Sequence, residues 1–283
     1  MTEDMAVWLY AVTPEPAPAG LTELTGVLGA PVRVVRASGL AAVVSSVSRA
    51  EVGEEPLRRN LEDLDWLAAT ATGHDAVVGA VTSSATAVPV RIATVYHGDD
   101  RVRDVLTEHR TAFAATVDLL AGRTEWGVKA YAASNHSDES ADVPGDAPAG
   151  TSGGAPGDVP GDAPGSGAPG GGQRSGTAYL LRRRAQLRAR ETADHLAARD
   201  ADRVHTELGS LAVAVRRHPP QHSRLTGTRA NMVLNAAYLV DDARAEHFAT
   251  AVTELDARGP LLHLYLTGPW PPYSFSRIAE VTT

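Results

Sequence analysis

Apolar positions along this chain follow two rhythms, and each rhythm predicts a different element. Residues 6–12 form an unbroken apolar run with Trp8 and Tyr10, closed by a Pro-rich break, which reads as a buried strand. Residues 32–36 and 40–47 flank Ser38-Gly39 and read as a hairpin. Leu57, Leu61, Leu64 and Ala68 recur at helical spacing, and a second helical stretch runs from His74 through Val77, Val78 and Val81. Residues 87–96 are β-rich, but Pro89 places that segment at an edge or a strand start. Asp99 or Asp100 can cap a helix with the stripe Val102, Val105, Leu106, His109, Phe113, Val117 and Leu120, which Gly122 stops. Residues 125–132 read as another strand.

Beyond position 176 the pattern begins with a long, charge-dense helix from about Ala178, carrying Arg182, Arg183, Arg184, Arg188 and Arg190. Residues 211–215 and 232–240 look like strands. Asp241 or Asp242 caps a helix that turns Phe248, Val252 and Leu255 inward and ends at Gly259-Pro260. Residues 261–266 make a last strand. The order helix, strand, strand, helix, strand suits an antiparallel α+β layer and not an alternating parallel sheet.

Between these halves the pattern stops. Residues 134–176 hold 12 of the 26 Gly and 6 of the 18 Pro, with no Leu, Ile or aromatic residue, so they offer nothing to bury. Such a segment cannot offset its ordering entropy, and the expectation is a disordered Gly/Pro/Asp-rich linker. The expected organisation is an N-terminal α+β domain at 1–133, the linker at 134–176, and a C-terminal α+β domain at 177–283. Three catalogue motifs fall inside the linker: a GxSxG at 150–154, a GxGxxG at 165–170 and a sequon at Asn135. None has the strand–turn–helix setting, or the secreted context, that gives it chemical meaning.

Composition narrows the chemistry. There is no Cys, which excludes disulfides, thiolate metal sites and Cys nucleophiles. The single lysine, Lys129, does not lie in a phosphate-loop motif. The net charge of −8 is a poor match for nucleic acid or an anionic membrane. No stretch approaches the ~20 apolar residues of a membrane span, and the acidic start at residues 1–5 is no signal peptide, so the expected location is cytoplasmic. His218 and His222 are separated by Pro219-Pro220, so no helix aligns them on a metal, and no HExxH occurs. His109, on an apolar helical face, reads as a core histidine.

Two groups of residues remain. Glu125 and Lys129 lie four apart on one predicted strand, hence on one face, and Arg91 lies on another; together they could form a small polar cluster or an anion site. The second group is the tail at 266–275, where Trp270, Tyr273 and Phe275 alternate with Pro269, Pro271 and Pro272. Three Pro in four positions exclude helix and central strand. This tail either docks back onto its own sheet or presents an aromatic surface to a partner.

At this tail a resemblance becomes specific. Gly268-Pro-Trp-Pro-Pro-Tyr-Ser-Phe275 is similar to the C-terminal signature of the gas vesicle GvpL/GvpF family. Similar segments follow in family order: Trp8-Leu-Tyr-Ala-Val12, His74-Asp-Ala-Val-Val78, Val88-Pro-Val-Arg-Ile-Ala-Thr-Val95, Glu125-Trp-Gly-Val-Lys-Ala-Tyr131, Ala178-Tyr-Leu-Leu-Arg-Arg183 and Asn235-Ala-Ala-Tyr-Leu-Val-Asp241. Ile92-Ala93 departs from the Phe-Gly expected there. The resemblance implies a two-domain α+β protein whose second domain is a modified ferredoxin-like fold. It implies a non-enzymatic role in gas vesicle assembly or structure, with the main hydrophobic shell protein and other gas vesicle accessory proteins as partners. It brings no cofactor and no catalytic residues. The alternative is a small-molecule site or enzyme built on Arg91, Glu125 and Lys129.

Overall fold

The structure, a computed structural model, describes residues 5–133, 172–219 and 231–276. Most of the expected linker, and His222, lie outside these residues.

The first sheet is built around β1 (Met5–Pro14). The hairpin β2 (Val32–Ala37) and β3 (Leu40–Ser48) lies on one side of it, and the two-residue strands β4 (Val88–Pro89) and β5 (Val95–Tyr96) lie on the other. All pairings are antiparallel. The unbroken apolar run of β1 has a simple cause: both sheet faces are covered, so both sets of alternating side chains are buried. On one face Val7, Leu9 and Val12 meet Val102, Val105 and Leu106 of α4 (Asp99–Glu108) and Phe113 and Leu120 of α5 (Arg110–Leu120). On the other, Trp8 and Tyr10 meet Val52 of α1 (Arg49–Val52) and Val77, Val78 and Val81 of α3 (Leu64–Ser84), which follows α2 (Glu54–Asn60).

Three sequence expectations change here. The stripe from Val102 to Leu120 is two helices, because the backbone leaves helical geometry at half-buried His109 (φ −104°, ψ 14°). The Leu57–Ala68 spacing is not a core stripe: Leu64 is 78% exposed, and α3 instead buries Thr70, His74 and its valines. The β-rich segment is split by a turn, and Arg91 sits in that turn, off any strand.

The second sheet has the order β7-β8-β6-β9 and is antiparallel throughout. Its strands are β6 (Arg123–Ala132), β7 (Ala214–Arg217), β8 (Met232–Asp241) and β9 (Leu262–Trp270). With α6 (Gly172–Gly209) and α7 (Ala245–Arg258), the chain order is β6-α6-β7-β8-α7-β9. This is the ferredoxin-like split βαβ arrangement. Both helices cover one face, where Val204, Leu208, Phe248, Val252 and Leu255 pack on Val128, Leu234, Tyr238 and Val240. The expected domain boundary at 133 falls after β6, whereas sheet membership divides the chain before Arg123. β6 is the inner strand between β8 and β9, so the segment after it lies within the second fold unit. Helix α6 begins at Gly172, earlier than the periodicity indicates.

The other face of the second sheet turns Leu239 into the first core. Farther along, this face is open and carries Lys129, Tyr131, His263, Tyr265 and Trp270.

Candidate functional site

The tail is where the two halves are fastened together. After β9, Pro271 and Pro272 lead into a single 3-10 turn, Tyr273–Phe275. Its three residues go to three places. Tyr273 packs against the core around Trp8 and Tyr10, and its hydroxyl donates to Asp75 Oδ1 at 2.9 Å. Phe275 packs against the opposite core, beside Leu239. Ser274, between them, donates its backbone N–H to Glu125 Oε2 at 2.7 Å and its hydroxyl to Glu125 Oε1 at 2.6 Å. His218 Nε2 lies 3.3 Å from the same hydroxyl oxygen, which is free to accept from it.

Glu125 is therefore buried on β6 with both oxygens engaged. Burial pushes its carboxyl above the usual range; the two Ser274 bonds and nearby His218 and Arg216 pull the other way. The strand bulges here to admit the tail: register with β9 shifts between Glu125 and Gly127. Gly268, at φ +116°, comes so near the strand that a Cβ on it would lie 2.9 Å from Glu125 O.

Behind the tail lies His74, 1% exposed. Trp8 Nε1 donates to its Nδ1 at 3.0 Å, and its Nε2–H donates to Val90 O at 3.1 Å. These two bonds fix the neutral Nε2–H tautomer, and burial holds the imidazole below its ordinary value. Tyr273 stacks on it at 6.5 Å between centroids. Between α3, the β4–β5 turn and Tyr273 is an open cavity of about 530 Å3, lined by His74, Asp75, Arg91, Ile92, Tyr96 and Tyr273 among others. Tyr96, buried at its edge, has its hydroxyl pushed up to about 12 by burial.

The structure separates the three residues expected to form a polar cluster. Arg91 lines this cavity, Glu125 holds Ser274, and Lys129 lies four positions along β6 on the open face, opposite Asn235 and Tyr265. The tail aromatics divide as well: Tyr273 and Phe275 are packed inward, whereas Trp270 is 54% exposed. Ser274, His74 and Asp75 were not singled out as site residues by sequence. Ser274 lies between two aromatics in the signature, and nothing in that local pattern points to Glu125, 149 residues away. Among the described residues, no three of His, Asp and Glu converge as a metal-ligand set. No helix among them is long and apolar enough to cross a membrane.

Comparison with known proteins bears on this arrangement. Residues 6–277 match the family model described as gas vesicle synthesis protein GvpL/GvpF. Gas vesicle protein L of Streptomyces sp. (strain CB03234) is 38% identical over 281 residues, covering 99% of this chain and 96% of that protein. Gas vesicle protein F of the same strain is 27% identical, covering 96% and 99%. The crystal structure of gas vesicle protein GvpF from Anabaena sp. PCC7120 superposes with a TM-score of 0.59 at 19% identity, covering 98% of each chain, a likeness of fold.

Proposed function

The chain belongs to the gas vesicle GvpL/GvpF family, and from that premise we propose that it escorts or anchors the main gas vesicle shell protein during assembly, by shape and apolar contact and without bond-making chemistry. The observation that supports this reading is the open face of the second sheet. Tyr131 and Tyr265 pack edge to face at 5.4 Å between centroids, Tyr265 is 57% exposed, and Trp270 continues the same face. Tyr265 and Trp270 are carried on β9, the outer strand of its sheet, and Tyr131 on its neighbour β6. An edge strand presents unpaired backbone groups for strand addition, and aromatics beside it supply apolar grip. An extended apolar segment of a shell subunit, held there, is kept from polymerising early.

In this reading Glu125, Tyr273 and Phe275 hold the edge strand in place, and Trp270 with Tyr265 meets the partner. Other gas vesicle accessory proteins are candidate partners on the remaining surface, and the place of action is the gas vesicle within the cytoplasm. The test is co-purification with the shell protein from cells that build vesicles, compared between the unaltered chain and the Trp270→Ala/Tyr265→Ala double variant. Loss of the shell protein from the variant, with an unchanged melting temperature, supports the proposal. Equal recovery with both chains removes this face from consideration, and normal vesicle yield after deletion of the gene counts against the assembly role itself.

A further inference from the structure

Helix α6 is far longer than the sheet it serves. Among its described side chains, only those of the C-terminal part are packed, through Ala197, Ala201, Val204 and Leu208. Every residue from 177 to 196 is exposed, so some twenty residues, about 30 Å of helix at 1.5 Å per residue, stand clear of the body. A free helix of that length is marginal in water, and this one keeps Leu181 63% and Leu196 47% exposed. Ala178, Leu181, Ala185, Ala189, Thr192 and Leu196 follow one another at spacings of three and four, so they form one apolar seam. That seam lies away from the face that Ala197, Ala201 and Val204 bury, so it is open along its whole length.

The charges on this arm are segregated. Residues 177–190 carry five Arg and no Asp or Glu, whereas Glu191 and Asp194 follow immediately. We propose that the arm pairs with the same arm of a second copy of this chain, antiparallel, through the Leu181–Leu196 seam. A parallel pair would set five Arg beside five Arg. An antiparallel pair crossing near Ala189 sets Leu181 against the partner's Leu196, Ala185 against the partner's Thr192, and Arg184 beside the partner's Glu191. Each of these contacts occurs twice, as a two-fold interface requires. The small side chains at 185 and 189 let the helices approach closely, and the 16-residue overlap holds the two bodies at opposite ends, about 24 Å apart.

The seam lies at or below the small end of specific interfaces, ~1,200 Å2 in total, so the expected affinity is modest, with a dissociation constant on the order of 1–100 µM. Sedimentation equilibrium of the full chain, from low micromolar to millimolar concentration, is the experiment. The expected result is a reversible monomer–dimer equilibrium. Arg184→Glu alone and Glu191→Arg alone each turn two attractive pairs into two repulsive ones and weaken it roughly tenfold. The double reversal restores it. Circular dichroism controls for folding, which exposed charge reversals leave intact. A chain that stays monomeric throughout overturns the proposal, and so does a dimer indifferent to the single reversals or not restored by the double one. A monomer that gains mass only when an acidic protein is added also overturns it, in favour of a heterologous partner for the arm.

Discussion

Lowering the pH puts the most specific demand on this structure, and the demand falls on His74. Its two ring nitrogens are committed: Nδ1 accepts from Trp8 and Nε2–H donates to Val90. Protonation would place an N–H against the indole N–H, with both groups buried. The native state therefore resists the proton, and the folded value lies below the unfolded one of 6.5. The sign follows from linkage. The unfolded chain binds the proton first, so this contribution is fully present above pH 6.5 and is lost progressively as pH falls toward the depressed folded value. Over the range between pH 6.5 and the depressed folded value the slope approaches one proton, about 1.4 kcal/mol per pH unit. Against a total stability of roughly 5–15 kcal/mol this is a readable fraction. Urea melts monitored by tryptophan fluorescence across that range measure it, with His74→Gln as the non-titrating control. The difference between the two curves removes the contributions of other groups, including His205, shifted down like His74, and Glu125, shifted up. Parallel curves for the two proteins, or a His74 ring that titrates by NMR at its ordinary value, would refute the reasoning.

Three further expectations concern the tail and its strand. Ser274→Ala removes a charge-assisted bond to buried Glu125 and should cost about 1.5–3 kcal/mol in urea melts. Because that bond lowers the Glu125 value, the same variant should raise its carboxyl titration further, seen by carbon NMR. The folded carboxyl already lies above its unfolded value, so stability then falls with rising pH over a wider window. Gly127→Ala would bring a Cβ to 2.6 Å from Thr267 Oγ1 and should cost about 1–3 kcal/mol, with most of it recovered by adding Thr267→Ala; no recovery would mean that the strain lies elsewhere. Fragments 1–133 and 172–283, co-expressed with a tag on one, should purify together because β6 of the first completes the sheet of the second; separate purification would contradict the strand pairing.

Local pattern carried much of the architecture into the sequence reading. The β1 run, the Ser38-Gly39 hairpin and the inward Phe248, Val252 and Leu255 were legible because their burial is repeated at a fixed period. The strand at β6 was legible too, but not its sheet, since strand pairing is a long-range choice on which a single-segment pattern is silent. The same limit applies to the site. Glu125 drew notice for its place four positions from Lys129 on one strand face, yet its partner Ser274 is 149 residues away. The tail reads as docking on its own sheet or meeting a partner, and its division between two cores has no local signature. The misread Leu61 and Leu64 teach the reverse: helical spacing identifies a face, not what covers it.

The place of β6 also sets a timetable. It is an inner strand, yet its neighbour β8 begins a hundred residues after β6 ends, and its other neighbour, β9, comes later still. At ordinary ribosomal speed that is on the order of 5–20 s during which a nascent chain carries Trp126, Val128 and Tyr131 with both strand edges bare. A molecule proposed to shelter a sticky sibling thus spends its own first seconds as a client, and its yield in the cell should depend on whatever holdase attends the ribosome.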